Sequence, residues 1–339
     1  MRKYLLPQNG NFYKANLHCH SDYSDGKLSP QDLKQLYMKN GYSVIAFTDH
    51  DILLEHPELN DENFLALNGY ELEVSESGKK WPDSKTCHLC FIALSPDNIT
   101  QVCWHRSKYL FSNSVKHREK VRFDESLPDY ERKYTPACIN DMIRLGRKNG
   151  FFVTYNHPSW SLEDYREYSN YRGMNAIEIV NFSCCVGGYD DHNGRVYDDM
   201  LRGGKKIFCI AADDNHNNHE SNTPKSDSCG AYIMIKAERL EYSAITGALE
   251  SGDFYSSQGP EITALWAKKD VIHIECSTVR EITLLTGNRS CQLKTAGAKG
   301  IKEADFKLNG DEIYFRIEAV RHDGKKAYTN AYFLDDLRR

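Results

Sequence analysis

His18 and His20, in Asn16-Leu17-His18-Cys19-His20, are the first residues of the chain arranged to do chemistry. On an extended strand, side chains at i and i+2 leave the same face, so both imidazoles can approach one ion. A lone pair of this kind is a weak signal. Here Asp25 follows in the loop Ser24-Asp25-Gly26, and Thr48-Asp49-His50-Asp51, Asn156-His157-Pro158 and Asp213-Asp214-Asn215-His216 come later. Imidazole and carboxylate together suit Zn, Mn or Fe, whereas a pure oxygen shell would indicate Mg or Ca. The candidates outnumber the three or four donors of a mononuclear site, so two or three divalent ions are expected, with at least one bridging carboxylate. Where Asp213 and Asp214 compete, the Asp-x-His spacing to His216 favours Asp214. Asp49 and Asp51 are expected to orient neighbouring imidazoles or cap helices, because metal-bound histidines usually need such partners.

These residues fall where strands end. Ser29-Pro30 reads as a cap and first helical turn, Leu33, Leu36 and Tyr37 give an apolar helical face, and Gly41 closes it. The apolar run 44–47 then leads into Thr48-Asp49-His50. Thr135-Pro136 opens another helix ending at Asn149-Gly150, and the strand 151–154 leads to Asn156-His157-Pro158. Strands over 176–180 and 207–212 reach Asn181 and Asp213-Asp214. Alternating strands and helices predict a mostly parallel α/β sheet or barrel, in which ligand sites lie at the carboxyl ends of strands. Residues about 97–134, rich in charge and aromatics, read as an insertion or lid. From about Gly259 the pattern becomes alternation, as in Val271-Ile272-His273-Ile274-Glu275, with turns at Gly287-Asn288, Asn309-Gly310 and Asp323-Gly324. The expected division is residues 1–258, then a small antiparallel β domain over 259–339.

A net charge of -5 argues against a nucleic-acid partner, and no apolar stretch approaches membrane-spanning length. With no signal-peptide core at the start, the 11 cysteines are read as reduced thiols in a cytoplasmic protein. Cys87 and Cys90 form a CxxC with no second pair to complete a zinc site.

The ordered set HCHSDYSDGKLSP, AFTDHD, GYE, His88, NHP and DNH resembles the polymerase-and-histidinol-phosphatase (PHP) superfamily over about residues 14–258. Phe254 to Ile262, leading into β structure, further resembles the CehA/McbA-type metallohydrolase branch, which has a C-terminal β domain. The resemblance implies a distorted (β/α)7 barrel with a di- or trinuclear metal site. It implies that His18, His20, Glu71 and Asp214 hold a first ion and that Glu71 bridges to a second, completed by His88 and His157. Asp25, His50 and His216 would hold the third. Glu73 shares the strand face of Glu71, and the spacing from Gly69 favours Glu71. His88 runs on through Leu89-Cys90-Phe91 without the glycine that the family has there.

The activity expected is hydrolysis of a small phosphomonoester or phosphodiester by a hydroxide generated at the metals, acting as nucleophile. Hydrolysis of a carboxylic ester or carbamate by the same cluster is the alternative, and a non-catalytic metal-binding or sensing module is a third. His219 is the candidate general acid, Asn181 a candidate pocket residue, and Arg172, Arg195 and Lys236 lie near strand ends where a phosphate could be gripped. The remaining histidines, His56, His105, His117, His192, His273 and His322, are expected at the surface.

Overall fold

The computed structural model describes residues 2–338. Up to residue 257 the strands are β1 (Lys3–Tyr4), β2 (Asn11–Asn16), β3 (Val44–Phe47), β4 (Leu65–Ser75), β5 (Thr86–Ala93), β6 (Phe151–Tyr155), β7 (Ala176–Asn181), β8 (Phe208–Ala212), β9 (Tyr232–Ala237) and β10 (Phe254–Ser257). Between them lie α1 (Pro30–Lys39), α2 (Pro136–Lys148), α3 (Tyr165–Tyr168), α4 (Phe182–Val186), α5 (Gly194–Arg202) and α6 (Tyr242–Ser251). The helix starts follow local chemistry. The Ser29 hydroxyl accepts from the Asp32 N–H, and Thr135 accepts from the Cys138 N–H, each one residue before a first-turn proline.

β2, β3 and β4 pair in parallel, as do β6, β7 and β8. The expected regular alternation breaks at β5, which runs antiparallel to both β4 and β6. The connecting loop 76–85 is too short for the crossover that a parallel neighbour requires, so the chain folds straight back. Beyond β2 and β8 the backbone continues side by side. The Asp214 N–H donates to the His18 carbonyl at 2.9 Å and the His20 N–H to the Asn215 carbonyl at 3.2 Å. This contact sets the His-x-His and Asp-x-His segments next to each other.

The rest of the chain forms β11 (Ile262–Lys268), β12 (Val271–Val279), β13 (Glu281–Thr286), β14 (Gln292–Thr295), β15 (Ile301–Lys307), β16 (Tyr314–Val320), β17 (Lys326–Thr329), β18 (Tyr332–Phe333) and α7 (Leu334–Leu337). Its pairings are antiparallel, and alternate residues of β12 and β13 are buried as the sequence pattern requires. β1, β11, β12 and β15 make a four-stranded sheet, while β14, β13, β16 and β17 extend the large mixed sheet through β10 and β9 to β2. The result is a mixed α/β fold with an added antiparallel sheet. Arg316 on β16 is buried, and its guanidinium donates to Asp198 of α5 at 2.9 and 2.8 Å.

Residues 97–134 contain a 3₁₀ helix, Ser112–Lys120, and no named strand among the described residues. Trp104 and Val121 pack on Ile52, and buried Arg132 pairs with Asp51 at 2.6 Å, which pins the segment beside His50. Two histidines expected at the surface are interior. His56 lies against Phe47 and Tyr23, and His105 accepts from the Ser107 N–H while its Nε2 faces Glu131 at 3.1 Å. The ring's apolar body explains both placements once a polar partner is supplied. No described helix is long and apolar enough to cross a membrane.

Candidate metal centre

The nine residues expected as ligands converge on one place. His18 and His20 follow β2, His50 follows β3, Glu71 lies on β4, His88 on β5, His157 follows β6, and Asp214 and His216 follow β8, with Asp25 reaching in from its loop. His157 (φ 27°) and Asp214 (φ 55°) hold left-handed backbone conformations uncommon outside glycine. Such strain persists where surrounding structure over-determines it, and it turns both side chains toward the centre.

The donor atoms stand at the separation of ligands around an ion. Nε2 of His18 lies 3.1 Å from Nε2 of His20, 3.1 Å from Asp214 Oδ1 and 3.2 Å from Glu71 Oε1, and His20 Nε2 lies 2.9 Å from Asp214 Oδ1. Two donors, each about 2.1 Å from a metal at tetrahedral or octahedral angles, would be about 3.0–3.4 Å apart. Around Glu71 the same spacing recurs. His88 Nδ1 lies 3.1 Å and His157 Nε2 3.3 Å from Oε1, and His50 Nδ1 lies 3.2 Å from Oε2. Asp25 is looser, with its Oδ2 3.4 Å from His216 and 3.8 Å from His50.

The set fits divalent cations on a second ground. Among the described residues, buried His20 Nδ1, His50 Nδ1, Glu71 Oε2 and His88 Nε2 make no hydrogen bond of acceptable geometry, His50 Nδ1 and Glu71 Oε2 being close without being aligned. One such atom costs about 1–3 kcal/mol, so four in a single cluster call for ions to satisfy them. Electrostatics agree. Burial disfavours the imidazolium of His18, yet Asp214, Glu71 and Glu178 hold its pKa well above the usual histidine range. His157 is likewise buried but raised to about 9 by Glu71 and Asp214. His50 is pushed down to about 3 by burial and by His20. Despite burial, Glu71 and Asp214 stay well below the usual carboxylate range because His18 and the other imidazoles surround them. Negative charge is thus concentrated where positive charge is wanted.

The orienting groups lie one layer out. Glu178 on β7 accepts from His18 Nδ1 at 2.7 Å, from the His157 backbone N–H at 3.0 Å and from Asn181 Nδ2 at 3.0 Å. Its carboxylate fixes the His18 ring so that Nε2 faces the cluster. Asp49 accepts from the Ser21 N–H and the Ser21 and Ser24 hydroxyls, holding the loop that carries Asp25. Asp213 points away, accepting from the N–H groups of Cys229, Gly230 and Ala231 and from the Tyr37 hydroxyl. That leaves Asp214 facing the cluster. Glu73, on the same strand face as Glu71, lies at the border of the cleft and accepts from Ser75.

Four further candidates lie outside the cleft. Arg195 is exposed on α5 and pairs with Asp199, and Arg172 lines a hollow at the opposite ends of the strands, with Gly203 and Lys205. His219 is exposed and outside the cleft. Lys236 lies over Phe12 on the far side of β2. In each case position near a strand end in sequence did not fix which way the following loop would turn. Asn181 is near the cluster but committed. It donates to Asp214 Oδ2 at 3.0 Å and to Glu178, and its carbonyl caps α4. It positions Asp214.

The cluster opens into a cleft of about 480 Å³ whose other wall includes Trp81, Phe111, Trp160, Cys184 and Tyr189. Among the described residues, no Lys or Arg lines it. Phe111 comes from the aromatic insertion singled out in the sequence, but sequence reading missed Glu178 and the rest of this wall. The signal for Glu178 was available, since a glutamate inside the apolar run Ala176-Ile177-Glu178-Ile179-Val180 must be partnered if buried.

Among curated proteins, the chain is 24% identical over 213 residues to the DNA polymerase/3'-5' exonuclease PolX of Bacillus subtilis (strain 168), covering 56% of this chain and 36% of that protein. It thus spans about a third of the length of that relative. A solved structure of a two-domain protein from Bacteroides vulgatus, described as containing a predicted PHP-like metal-dependent phosphoesterase, aligns over 97% of this chain and 98% of its own at 13% identity and a TM-score of 0.42. An amidohydrolase from Chromobacterium violaceum, solved with bound sulfate and no metal, aligns over 60% of this chain and 87% of its own at 16% identity and a TM-score of 0.35. Residues 16–199 match the PHP domain, which is more than half of the sequence, and the chain therefore belongs to the PHP domain family.

Proposed function

We propose that this protein is a metal-dependent phosphoesterase acting on a small phosphomonoester or phosphodiester. The observation that carries the reading is the cluster of six histidines and three carboxylates with donor atoms about 3 Å apart at the floor of an open cleft. In this reading His18, His20, Glu71 and Asp214 hold one ion, Glu71 with His88 and His157 a second, and Asp25, His50 and His216 a third. Mn, Zn and Fe are the ions that this donor set favours. The strand order β2 to β8, bridged between Cys19 and Asn215, is consistent with a distorted seven-stranded barrel, and the β structure after residue 258 with the CehA/McbA-type branch.

Bound divalent ions supply Lewis acidity toward a phosphoryl oxygen and lower the pKa of a coordinated water toward neutrality. The chain's own residues do the rest. Glu178 and Ser161 hold the His18 and His157 rings from behind, and Asn181 and Asn156 hold Asp214 and Glu71. The floor therefore needs little rearrangement when ions and substrate arrive. A small substrate is favoured over a nucleic-acid strand, because among the described residues no cationic one lines the cleft to follow a phosphate backbone.

The same lack of cations, with the aromatic wall, favours one rival, a carboxylic ester or carbamate. Purified protein loaded with Mn, Zn or Fe should release p-nitrophenol from p-nitrophenyl phosphate or bis-p-nitrophenyl phosphate faster than from p-nitrophenyl acetate, with two to three ions bound per chain by mass spectrometry. Turnover of the acetate alone would select the rival. His18→Ala should lose both bound metal and turnover, and full retention of each would refute the site.

A further inference from the structure

We propose that Trp81, Trp160 and Tyr189 form a slot for a planar ring on the leaving group of the substrate. The proposal rests on the phosphoesterase reading for the position of the scissile bond, but the slot itself rests on separate observations. All three aromatics line the metal-floored cleft, and all three also line the hollow next to it, so they form the partition across which a substrate would lie. Trp81 is 81% exposed and Tyr189 46% exposed, and neither has a ring partner among the described residues. Open indole and phenol faces next to a reactive centre are surface that a ligand ring can cover.

Trp160 supplies the fixed side of the slot. Its ring meets His88 at 5.4 Å and His157 at 5.1 Å between centroids, both T-shaped, and the Asp191 carboxylate accepts its backbone N–H at 2.9 Å. Trp81 and Tyr189 stand on loops, Tyr189 directly after Gly187-Gly188. The wall thus has one ring locked against the candidate ligands and two carried on loops, an arrangement suited to sandwiching a flat group.

Charge points the same way. Among the described residues no Lys or Arg lines the metal-floored cleft, so the ions would hold the phosphoryl oxygens, while Lys79 and Lys80 line only the hollow beyond the three rings. Glu73, at the border of both cavities, adds a negative charge there. What the cleft itself offers the leaving group is ring faces, which stack sequence-tolerantly on any planar heterocycle.

The test compares adenosine 5'-phosphate with ribose 5-phosphate, the same primary ester with and without a ring. The expected kcat/KM favours adenosine 5'-phosphate by about tenfold, and Trp81→Ala or Tyr189→Ala narrows that ratio by a similar factor while Trp81→Phe restores most of it. Both side chains are exposed, and an unchanged thermal midpoint will show that the variants fold. Equal turnover of the two esters by wild type and by Trp81→Ala overturns the slot and leaves the phosphoesterase reading standing. Adenosine alone, followed by tryptophan fluorescence against ribose, separates the other case. Trp81-dependent quenching with no turnover of either ester or of bis-p-nitrophenyl phosphate supports the slot and removes the phosphoesterase reading, whereas neither quenching nor any of this turnover removes both.

Discussion

Glu178 shows how much of a metal centre is built from residues that never face the metal. Its carboxylate is engaged by three donors, His18 Nδ1, the His157 N–H and Asn181, and it is not among the residues that line the cleft. Glu178→Gln keeps the shape but removes the charge that steadies the His18 ring. The expected result is a 10- to 100-fold loss of metal affinity with little change in fold, measured by competition with a chelator of known affinity. Unchanged affinity would show that His18 is held by packing alone. The residues placed in the cluster were legible because ligand chemistry restricts them to His, Asp and Glu at strand ends. The aromatic wall was not legible, since Trp81, Trp160 and Tyr189 come from three separate loops whose sequences carry no periodic or ligand-type signal. Arg172 and Arg195 failed for the same reason, because a loop's direction depends on packing that no local pattern records.

At the scale of elements, β3, β6, β7 and β8 were readable from apolar runs, and the helices α1 and α2 from Ser29-Pro30 and Thr135-Pro136. The reversal of β5 was hidden, because a buried strand has the same composition whichever way it runs. The loop after β2 illustrates how tightly delivery is specified. A Cβ on Gly26 would sit 2.5 Å from the His20 carbonyl oxygen and 2.8 Å from that of Ser21, both backbone atoms that cannot swing aside. Gly26→Ala should therefore displace Asp25 and cost at least about 1–3 kcal/mol. The check is a lower urea midpoint together with the loss of one bound ion per chain. A normal ion count would remove Asp25 from the ligand set.

Over the whole molecule, stability should depend on a carboxyl group outside the candidate ligand set. Glu163 is buried where the hydroxyls of Tyr134, Tyr155 and Tyr171 meet, at 2.7 Å for the first two. Burial raises its pKa to about 7, and the tyrosine hydrogen bonds only partly counter that. The native state then binds this proton more tightly than the unfolded chain, whose glutamate titrates near 4.5. Its contribution is complete below about pH 4.5 and is lost as pH rises through about 7, on the order of 3 kcal/mol in all. Glu163→Gln cannot ionise, so the wild-type-minus-variant difference in unfolding free energy should fall across that window. A difference that stays flat from pH 4.5 to 7.5 would show that Glu163 remains charged in the folded protein.

The large sheet does not stop where the alternating β pattern begins. β10 has β9 on one side and β17 on the other, and Asn330 reaches across to the backbones of Cys209, Gly252 and Phe254. A chain cut after residue 258 would keep every candidate ligand and still lose the partner of a buried strand. Phe254 to Ser257 would become a bare edge with unpaired N–H and C=O groups, a template for joining other copies. Such a truncation should yield protein that self-associates on purification, by light scattering, rather than a smaller working hydrolase. The last quarter of the sequence would thus guard the part that holds the candidate ligands against aggregation.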